Sequence, residues 1–400
     1  MAATADMKVR EAELAIAMAE AKAESVAEAN ESARMAEELR DEAIKLKPNL
    51  YFNRELSLLK FQRRVLENSL SERHPLLERI KFLAITHSNI DEFFMVRVSG
   101  LREQIKQGVS DTSPDGMTPS EELATVRQEL LDIFEQQASH WRDTLHPALE
   151  KAGITISDYK QLNHKQRRFA REYFDREVFP VCTPLAVDPG HPFPHISNLS
   201  LNLAVNLRDP DGRKHFARVK VPNVLPRLVQ IPDEESSPTQ TTFVWLEQLL
   251  IAHLDQLFPS MEIVEAHPFR VIRDADIEIQ ELEADDLLHT IEESLNRRRF
   301  GSAVALITNP TIPHHLWAML MEKLELSVDE HYPISGPLGL SDLMEVYKLE
   351  RLDLKDATFT PHVPAILRNR DIFSAIRDRD IILHHPFDSF NPVLDFIRTA

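Results

Sequence analysis

Cysteine is almost absent from this sequence of 400 residues, which contains only Cys182. A single thiol excludes an intramolecular disulfide and any metal site made of several thiolates, and it is typical of proteins from a reducing compartment. We interpret Cys182 as a small buried residue and not as a catalytic thiol. The N-terminus lacks the basic-then-apolar pattern of a secretory signal. We therefore predict a cytoplasmic protein.

Long apolar runs and an excess of basic residues are also missing. No run approaches the roughly 18 apolar residues of a transmembrane helix. We therefore expect no transmembrane segment, although peripheral association with a membrane stays compatible with the sequence. The net charge of −18 argues against sequence-independent binding to nucleic acid, because such binding depends on neutralising phosphates with Lys and Arg.

Glycine is scarce, with 9 residues against 25 prolines. Glycine-rich loops are the usual way to bring backbone amides against a phosphate, and the sequence contains neither GxxxxGKS/T nor GxGxxG. If the protein handles phosphates, the contacts must therefore come from Arg, Lys and His side chains and from helix N-termini.

The first 152 residues are predicted to be helical. Residues 1–48 form an extension rich in Ala and Glu, in which residues 8–46 predict one long helix that is either a solvated extension or a partner-binding coiled coil. Residues 49–152 carry apolar residues at helical spacing and predict a domain of long antiparallel helices. One of these helices should start at Thr118, because Pro119 and Glu121 complete a capping box with proline at the first helical position.

Mixed strands and helices are predicted for residues 153–361. Residues 199–207 place apolar residues at every second position, which is typical of a half-buried strand. A turn at residues 209–212 should return the chain as a hairpin arm at residues 215–222. Residues 243–258 predict a helix. The pattern indicates an α+β domain with a largely antiparallel sheet.

Residues 362–400 begin an α/β pattern. IILHH, at residues 381–385, predicts a short buried strand, and residues 391–400 predict a helix after it. A strand followed by a helix implies a crossover to a parallel strand, and no such strand occurs before residue 400. We therefore expect the front part of a longer multidomain protein of α and α+β class, ending in an unfinished α/β domain.

The stretch HSNIDEFF, residues 87–94, interrupts a hydrophobic helical pattern with polar residues. Ser88 and Asp91 match the S-x-x-D start of a helix, which predicts that Ser88 caps a new helix and that Asp91 supports its first turn. The capping pattern assigns no role to Asn89, whose amide offers both a donor and an acceptor.

Six blocks of the sequence carry a family resemblance. They are YFNRELSLLKFQRRVLENS, HPLLERIKFLAITHSNIDEFFMVRVSGL, VFPVCTPLAVDPGHPFPHISNLSLNLAV, FARVKVPNVLPRLVQIP, GPLGLSDLMEVYKL and DIFSAIRDRDIILHHPFDSFNPVLDFIRTA. In this order they resemble successive blocks of the family-1 polyphosphate kinases, the large enzymes that use a phosphohistidine. The resemblance covers about residues 50–400.

The resemblance implies a reversible transfer of the terminal phosphate of ATP to inorganic polyphosphate, with magnesium and a phosphohistidine intermediate. It implies a helical N-terminal domain at residues 49–152 and a head domain at residues 153–361. Residues 362–400 would begin the first of two catalytic domains similar to phospholipase D. Members of the family are typically dimers, so ATP, ADP, polyphosphate and a second copy of the chain are the expected partners, and nucleic acid is not.

The resemblance assigns one site residue to this chain. Asn89 belongs to the block SN-(Leu or Ile)-DEF, whose Asn approaches the adenine of ATP. The phosphohistidine, the residues that hold the rest of ATP and the magnesium site belong to later blocks, so no catalytic and no metal-binding residue is implied here. Leu58 replaces the family's usual Trp and should alter packing only.

Such a chain is expected to be inactive alone, because the groups that phosphoryl transfer requires are missing. The alternative is a standalone, non-catalytic protein that keeps the dimer-forming surface and binds a full-length kinase or another partner.

Other groups are weaker candidates. His191 and His195 suggest a metal pair, but Pro192 and Pro194 prevent a helical arrangement, and a turn into the following strand is favoured. Arg297–Arg299 either compensate a helix dipole or contact polyphosphate.

Two more groups lie near the end of the sequence. The four arginines of residues 368–379 alternate with acids, which favours salt bridges. His384 and His385 follow a predicted strand, where α/β domains place functional loops, and form a weak site candidate.

Overall fold

The computed structural model of the chain describes a set of residues with internal gaps: 34, 50–187, 193–232, 240–275 and 301–400. The chain divides into two compact units, Met1–Leu349 and Glu350–Ala400. The predicted helical extension of residues 1–48 lies outside the described residues except for Arg34. The predicted domain boundaries at residues 152 and 361 stay predictions.

The N-terminal part of the first unit is helical, as expected. Its helices are α1 Arg54–Leu70, α2 Leu76–Phe93, α3 Ser99–Lys106, α4 Pro119–His140 and α5 His146–Lys151. π-helical turns at Phe94–Val98 and Trp141–Leu145 join α2 to α3 and α4 to α5. Among the residues that the structure describes, no helix is long and apolar enough to cross a membrane.

The predicted start of α4 is confirmed. The backbone N–H of Thr118 donates to the Glu121 carboxylate at 2.9 Å, and the backbone N–H of Glu121 faces the Thr118 hydroxyl oxygen at 3.4 Å. This reciprocal pair satisfies amides that the first turn of a helix leaves without partners.

Two sheets follow the helices. Their strands are β1 Ile154–Ile156, β2 Pro184–Val187, β3 Leu201–Arg208, β4 Lys214–Lys220, β5 Leu228–Ile231, β6 Thr241–Trp245, β7 Glu262–Arg273, β8 Ala303–Thr308 and β9 His331–Pro333. The larger sheet has the order β2-β4-β3-β7-β8-β9, and the smaller has the order β1-β6-β5. Neighbours are antiparallel except for β8 with β9 and β1 with β6. The largely antiparallel sheet and the hairpin of β3 and β4 are therefore confirmed.

Short helices connect and cover these strands. They are α6 His164–Tyr173, α7 Leu246–Ala252, α8 Leu254–Leu257, α9 His314–Lys323 and α10 Met344–Tyr347.

Strand β3 is buried on both faces. Leu203 and Val205 share one core with Ile90 of α2, while Ala204, on the opposite face, belongs to a second core with Leu316 of α9. Successive side chains of a strand point to opposite faces, so a strand covered on both sides places alternate residues in two cores. The helical part and the larger sheet are therefore packed against one continuous core within the first unit.

The helix predicted for residues 243–258 is wrong at its start. Thr241–Trp245 is strand β6, and the helix begins only at Leu246. β-Branched and aromatic residues favour a strand, and β6 pairs with β1 on one side and with β5 on the other. Hydrogen bonds to both neighbours outweigh the local helical spacing.

The strand predicted at residues 381–385 is also wrong. Within Glu350–Ala400 the regular elements are α-helices α11 Ile372–Asp378 and α12 Asn391–Thr399 and short 3-10 helices at Leu352–Leu354 and Ala365–Leu367, and Ile382 is 90% exposed. The only ladder contact in this unit is an isolated bridge between His362 and Asp388. A strand needs a neighbour for its backbone N–H and C=O groups, and no strand of this unit lies beside these residues.

Candidate functional site

The predicted helix start at Ser88 is wrong, because α2 runs without a break from Leu76 to Phe93. Ser88 is an exposed residue inside the helix, and Asp91 is buried instead of supporting a first turn. His87, Asn89 and Asp91 interrupt the hydrophobic pattern because each has a partner on another element. His87 contacts the Gln137 amide oxygen of α4 at 3.1 Å, which gives one of these polar side chains a buried partner.

Asn89 lies on the surface side of α2 and is half-buried. Its Nδ2 donates to the Gln62 Oε1 atom of α1 at 2.8 Å. Among the described residues, Asn89 Oδ1 accepts no hydrogen bond, and one Nδ2 hydrogen is also left over. The amide is therefore held on one side and keeps a donor and an acceptor for another molecule.

Gln62 is a site residue that the sequence reasoning missed. It is 5% exposed and stands between Leu59 and Leu66 on the buried stripe of α1. The sequence pattern that could have identified Gln62 is a polar residue at helical spacing between two core leucines. Such a buried amide requires a hydrogen-bond partner. Leu58 packs against the core, in agreement with a packing role.

Asp91 forms a bidentate ion pair with Arg270 of β7. The two hydrogen bonds are 2.5 and 2.7 Å long, and both residues are 5% exposed. Bidentate guanidinium–carboxylate pairs combine charge with fixed geometry. This pair therefore fixes the last turn of α2, two residues after Asn89, against the larger sheet.

Arg227 connects the loop before β5 to two further elements. Its guanidinium donates to the Glu247 carboxylate at 2.7 Å, to Asp342 at 2.8 Å and to the backbone oxygen of Gly339 at 2.9 Å, and it lies 4.7 Å from the centre of the Trp245 ring. Burial alone would lower the pKa of Arg227, but Glu247 and Asp342 raise it above its usual value. The Arg227 side chain therefore has a structural role, because its guanidinium nitrogens already donate to protein acceptors and are not available to a ligand.

His87 should make stability depend on pH. Burial lowers the pKa of His87, and its Nε2 is buried without a hydrogen-bond partner among the described residues. Below about pH 6.5, His87 is protonated in the unfolded chain but stays neutral in the folded protein. The free energy of unfolding therefore decreases as the pH falls below that value. In urea titrations from pH 7 to pH 5, His87→Gln should reduce the slope of unfolding free energy against pH by up to about 1.4 kcal/mol per pH unit.

The matched control for this prediction is His164→Gln, because His164 is exposed on α6. It should leave the slope unchanged. An equal slope in the wild-type and His87→Gln proteins would show that this imidazole has no part in the pH dependence.

The remaining candidates are dispersed. His191, Pro192 and Arg297–Arg299 lie outside the described residues. Arg370 forms the expected type of salt bridge, with Asp378.

The two histidines near the end of the chain lie in a loop. His385 Nδ1 lies 2.9 Å from the backbone oxygen of Asp388, and the backbone N–H of His384 donates to the carboxylate of the same residue at 2.8 Å. These contacts order the loop, which does not follow a strand.

Magnesium was implied only by the family resemblance. Within residues 50–187, 193–232, 240–275 and 301–400, no three His, Cys, Asp or Glu side chains converge on a point that could hold a metal.

Two family models match the chain in order. The polyphosphate kinase N-terminal domain matches residues 51–157, and the polyphosphate kinase middle domain matches residues 165–346. Among solved structures, the polyphosphate kinase from Porphyromonas gingivalis is similar to this chain with a TM-score of 0.72 and 23% identity, covering 86% of this chain and 49% of that one. That likeness supports the mixed α and β fold.

Curated relatives agree with the family models. The chain is 48% identical over 359 residues to a polyphosphate kinase of Prosthecochloris aestuarii, covering 88% of this chain and 50% of the relative. It is 46% identical to polyphosphate kinase 1 of Chlorobaculum tepidum, covering 88% of this chain and 51% of the relative. The chain thus spans about half the length of these relatives. It belongs to the polyphosphate kinase family, whose N-terminal and middle domains it carries.

Proposed function

We propose that this chain is the N-terminal and middle part of an enzyme that transfers the terminal phosphate of ATP reversibly to inorganic polyphosphate. The observation that carries the proposal is the 48% identity over 359 residues to a relative named polyphosphate kinase. Both domain models also match in the order of the family. A cytoplasmic location and a homodimer built with the head domain are part of the same proposal.

In this proposal Asn89 binds the adenine of ATP. Adenine presents an amino donor beside a ring-nitrogen acceptor, and an Asn amide matches that edge with two hydrogen bonds. The hydrogen bond to Gln62 leaves free both Asn89 Oδ1 and one Nδ2 hydrogen. Gln62 would act as a positioning residue, because it holds the amide in one orientation without touching the base.

Asn89→Ala should raise the Michaelis constant for ATP by about five- to 150-fold, since a lost pair of base contacts costs roughly 1–3 kcal/mol. The measurement uses what we call the joined enzyme, in which this chain is followed by the second half of the Prosthecochloris aestuarii relative. Steady-state synthesis of polyphosphate at varied ATP gives the constant.

Ser88→Ala is the matched control for the adenine contact, because Ser88 is the exposed neighbour of Asn89 on α2. It should leave the Michaelis constant unchanged. An unchanged constant in Asn89→Ala, with circular dichroism like that of the unmodified enzyme, would return Asn89 to a packing role between α1 and α2.

The chemical step is proposed to use groups outside this chain. The family resemblance assigns the phosphohistidine, the magnesium ligands and the arginines that hold the phosphates to later blocks. Magnesium, when bound, would neutralise charge that develops on the transferred phosphate. The part of the work proposed for this chain is to hold the adenine and to support the catalytic half.

A standalone, non-catalytic protein is the rival proposal. It is favoured by the first unit, where the helical part and the larger sheet already share a core without another chain. A denaturing gel of the native protein, probed with an antibody to residues 153–361, separates the two. A band well above 45.9 kDa would contradict the standalone protein, and a band at that mass would contradict a longer kinase.

A further inference from the structure

Two basic side chains of β4 project from one face of the larger sheet towards residues 196–202, the segment that leads into β3. Arg218 Nε donates to the Asn202 Oδ1 atom at 2.7 Å, and Lys220 Nζ donates to the Ser197 hydroxyl at 3.0 Å. Residues two apart on a strand share a face, and Asn202 lies directly opposite Lys220 in the register. The two cations are therefore neighbours at the same end of the sheet.

Arg273, at the end of β7, binds the same segment. Its Nε donates to the backbone oxygen of Ile196 at 2.6 Å, and its Nη1 donates to the backbone oxygen of Gly301 at 2.8 Å. A third positive charge is thus held by neutral acceptors around residues 196–202.

Among the residues that the structure describes, these cations have no carboxylate partner, although two of them are buried. Arg218 is 6% exposed and Arg273 is 8% exposed, and neither forms an ion pair with any described residue. Of the five N–H groups of Arg218, only the one on Nε has an acceptor among the described residues, so neither terminal nitrogen has a partner there. By contrast, Arg227 and Arg270 are buried to the same degree and each has a bidentate carboxylate.

We infer that Arg218, Lys220 and Arg273 form a binding site for a phosphate-bearing anion. A buried charge is costly unless it is paired, and an anion at this end of the sheet would supply the missing partner. The unused fork of Arg218 matches two oxygens of one phosphate group, while Lys220 adds a point charge beside it. The inference rests on these side chains alone and does not depend on the proposed transfer reaction.

The protonation of the group agrees with an anion site. Burial lowers the pKa of Arg273 to about 10, which still leaves it charged at neutral pH. Partial burial, followed by the charges of Arg273 and Arg218, lowers the pKa of His195 to about 4. His195 is therefore neutral near pH 7, and the charges of Arg273 and Arg218 add to the larger effect of burial on its pKa.

The test is calorimetric titration of the 400-residue chain with inorganic tripolyphosphate and, separately, with orthophosphate at physiological ionic strength. We expect saturable binding of tripolyphosphate to one site, weakened at least tenfold in Arg218→Gln. If orthophosphate binds as tightly, the site takes a single phosphate group; if tripolyphosphate binds more tightly, the site follows a chain of phosphates. Either result supports the site.

Two further variants keep the test decisive if Arg218→Gln fails to fold. Arg218→Lys keeps the charge but removes the planar fork, and Lys220→Gln changes a half-buried side chain. Both should weaken binding. Arg208→Gln is the control, because Arg208 lies at the opposite end of β3 and pairs with Glu262.

Several results would overturn the inference. Absence of saturable binding of either probe would do so, and so would an equal loss of affinity in Arg208→Gln, which would indicate general attraction to surface charge. An NMR titration of His195, assigned with His195→Gln, gives a local readout. Its pKa should rise when tripolyphosphate saturates the protein, and an unchanged pKa would place the anion elsewhere.

Discussion

Asp91→Asn is expected to lower the free energy of unfolding of the chain by about 3–5 kcal/mol, because it leaves a buried guanidinium without its charge partner. Asp91 and Arg270 are each 5% exposed and are joined by two hydrogen bonds of 2.5 and 2.7 Å. Asparagine keeps the shape of the side chain but removes the negative charge and one acceptor. The expected loss is the cost of leaving the Arg270 charge buried without a partner. That cost is larger than the net contribution of the ion pair to stability.

Urea unfolding followed by circular dichroism measures this effect. Asp143→Asn is the matched control, because Asp143 forms an exposed ion pair with Arg142 on the helical part. Exposed ion pairs contribute little to stability, so the control should change the midpoint only slightly. Equal midpoints for Asp91→Asn and the unmodified chain would contradict the role assigned to the pair.

Replacing both partners separates the charge from the packing. In Asp91→Leu with Arg270→Met the buried charge disappears together with its partner, so much of the lost stability should return. A double variant as unstable as Asp91→Asn would indicate that the shape of the site, and not its charge, decides stability.

This ion pair also shows why the sequence predicted some elements and missed others. The start of α4 at Thr118 and the strand at Leu201–Arg208 depend on residues a few positions apart, so their patterns are visible in the sequence. The continuation of α2 through HSNIDEFF depends on Gln137 and Arg270, which lie 50 and 179 residues after their partners. A capping pattern was the local explanation, and distant partners outweighed it.

The two misjudged strands have one physical cause. The second half of Thr241–Trp245 was predicted to be helical, but this segment pairs with strands on both sides. Residues 381–385 were predicted to be a strand, but they have no neighbouring strand. Strand formation requires hydrogen bonds from another segment, which hydrophobic pattern alone does not report.

The candidate site was predictable only in part. Asn89 came from the family resemblance, whereas its partner Gln62 is visible in the structure as a buried amide between core leucines. The cations Arg218, Lys220 and Arg273 lie on two different strands, and the structure describes no carboxylate paired with any of them. The order of residues in the sequence does not indicate that Asn89 lies beside Gln62, nor that Arg218, Lys220 and Arg273 lie close together.

The chain alone is expected to make no polyphosphate from ATP. Phosphoryl transfer requires a nucleophile, bound metal and positive groups around the transferred phosphate at one place. The chain spans about half the length of the relatives it matches, and the family resemblance assigns the phosphohistidine and the magnesium ligands to later blocks. The anion site proposed above binds phosphate groups but brings no nucleophile to them, so binding without turnover is the expected behaviour.

This prediction is checked by incubating the purified chain with ATP, magnesium and a short polyphosphate primer. The joined enzyme is the positive control at equal concentration. A polyphosphate product from the chain alone, surviving a second purification step, would mean that a complete catalytic centre lies within these 400 residues.

Polyphosphate formed from ATP, measured side by side on three proteins, tests the family function most directly. The proteins are the chain alone, the joined enzyme and the joined enzyme with Asn89→Ala. We expect no product from the chain alone and product from the joined enzyme. The joined enzyme with Asn89→Ala should also form product, but with a raised Michaelis constant for ATP. Synthesis by the chain alone, or no synthesis by a folded joined enzyme, would contradict the assignment of this chain as the adenine-binding, non-catalytic part of a polyphosphate kinase.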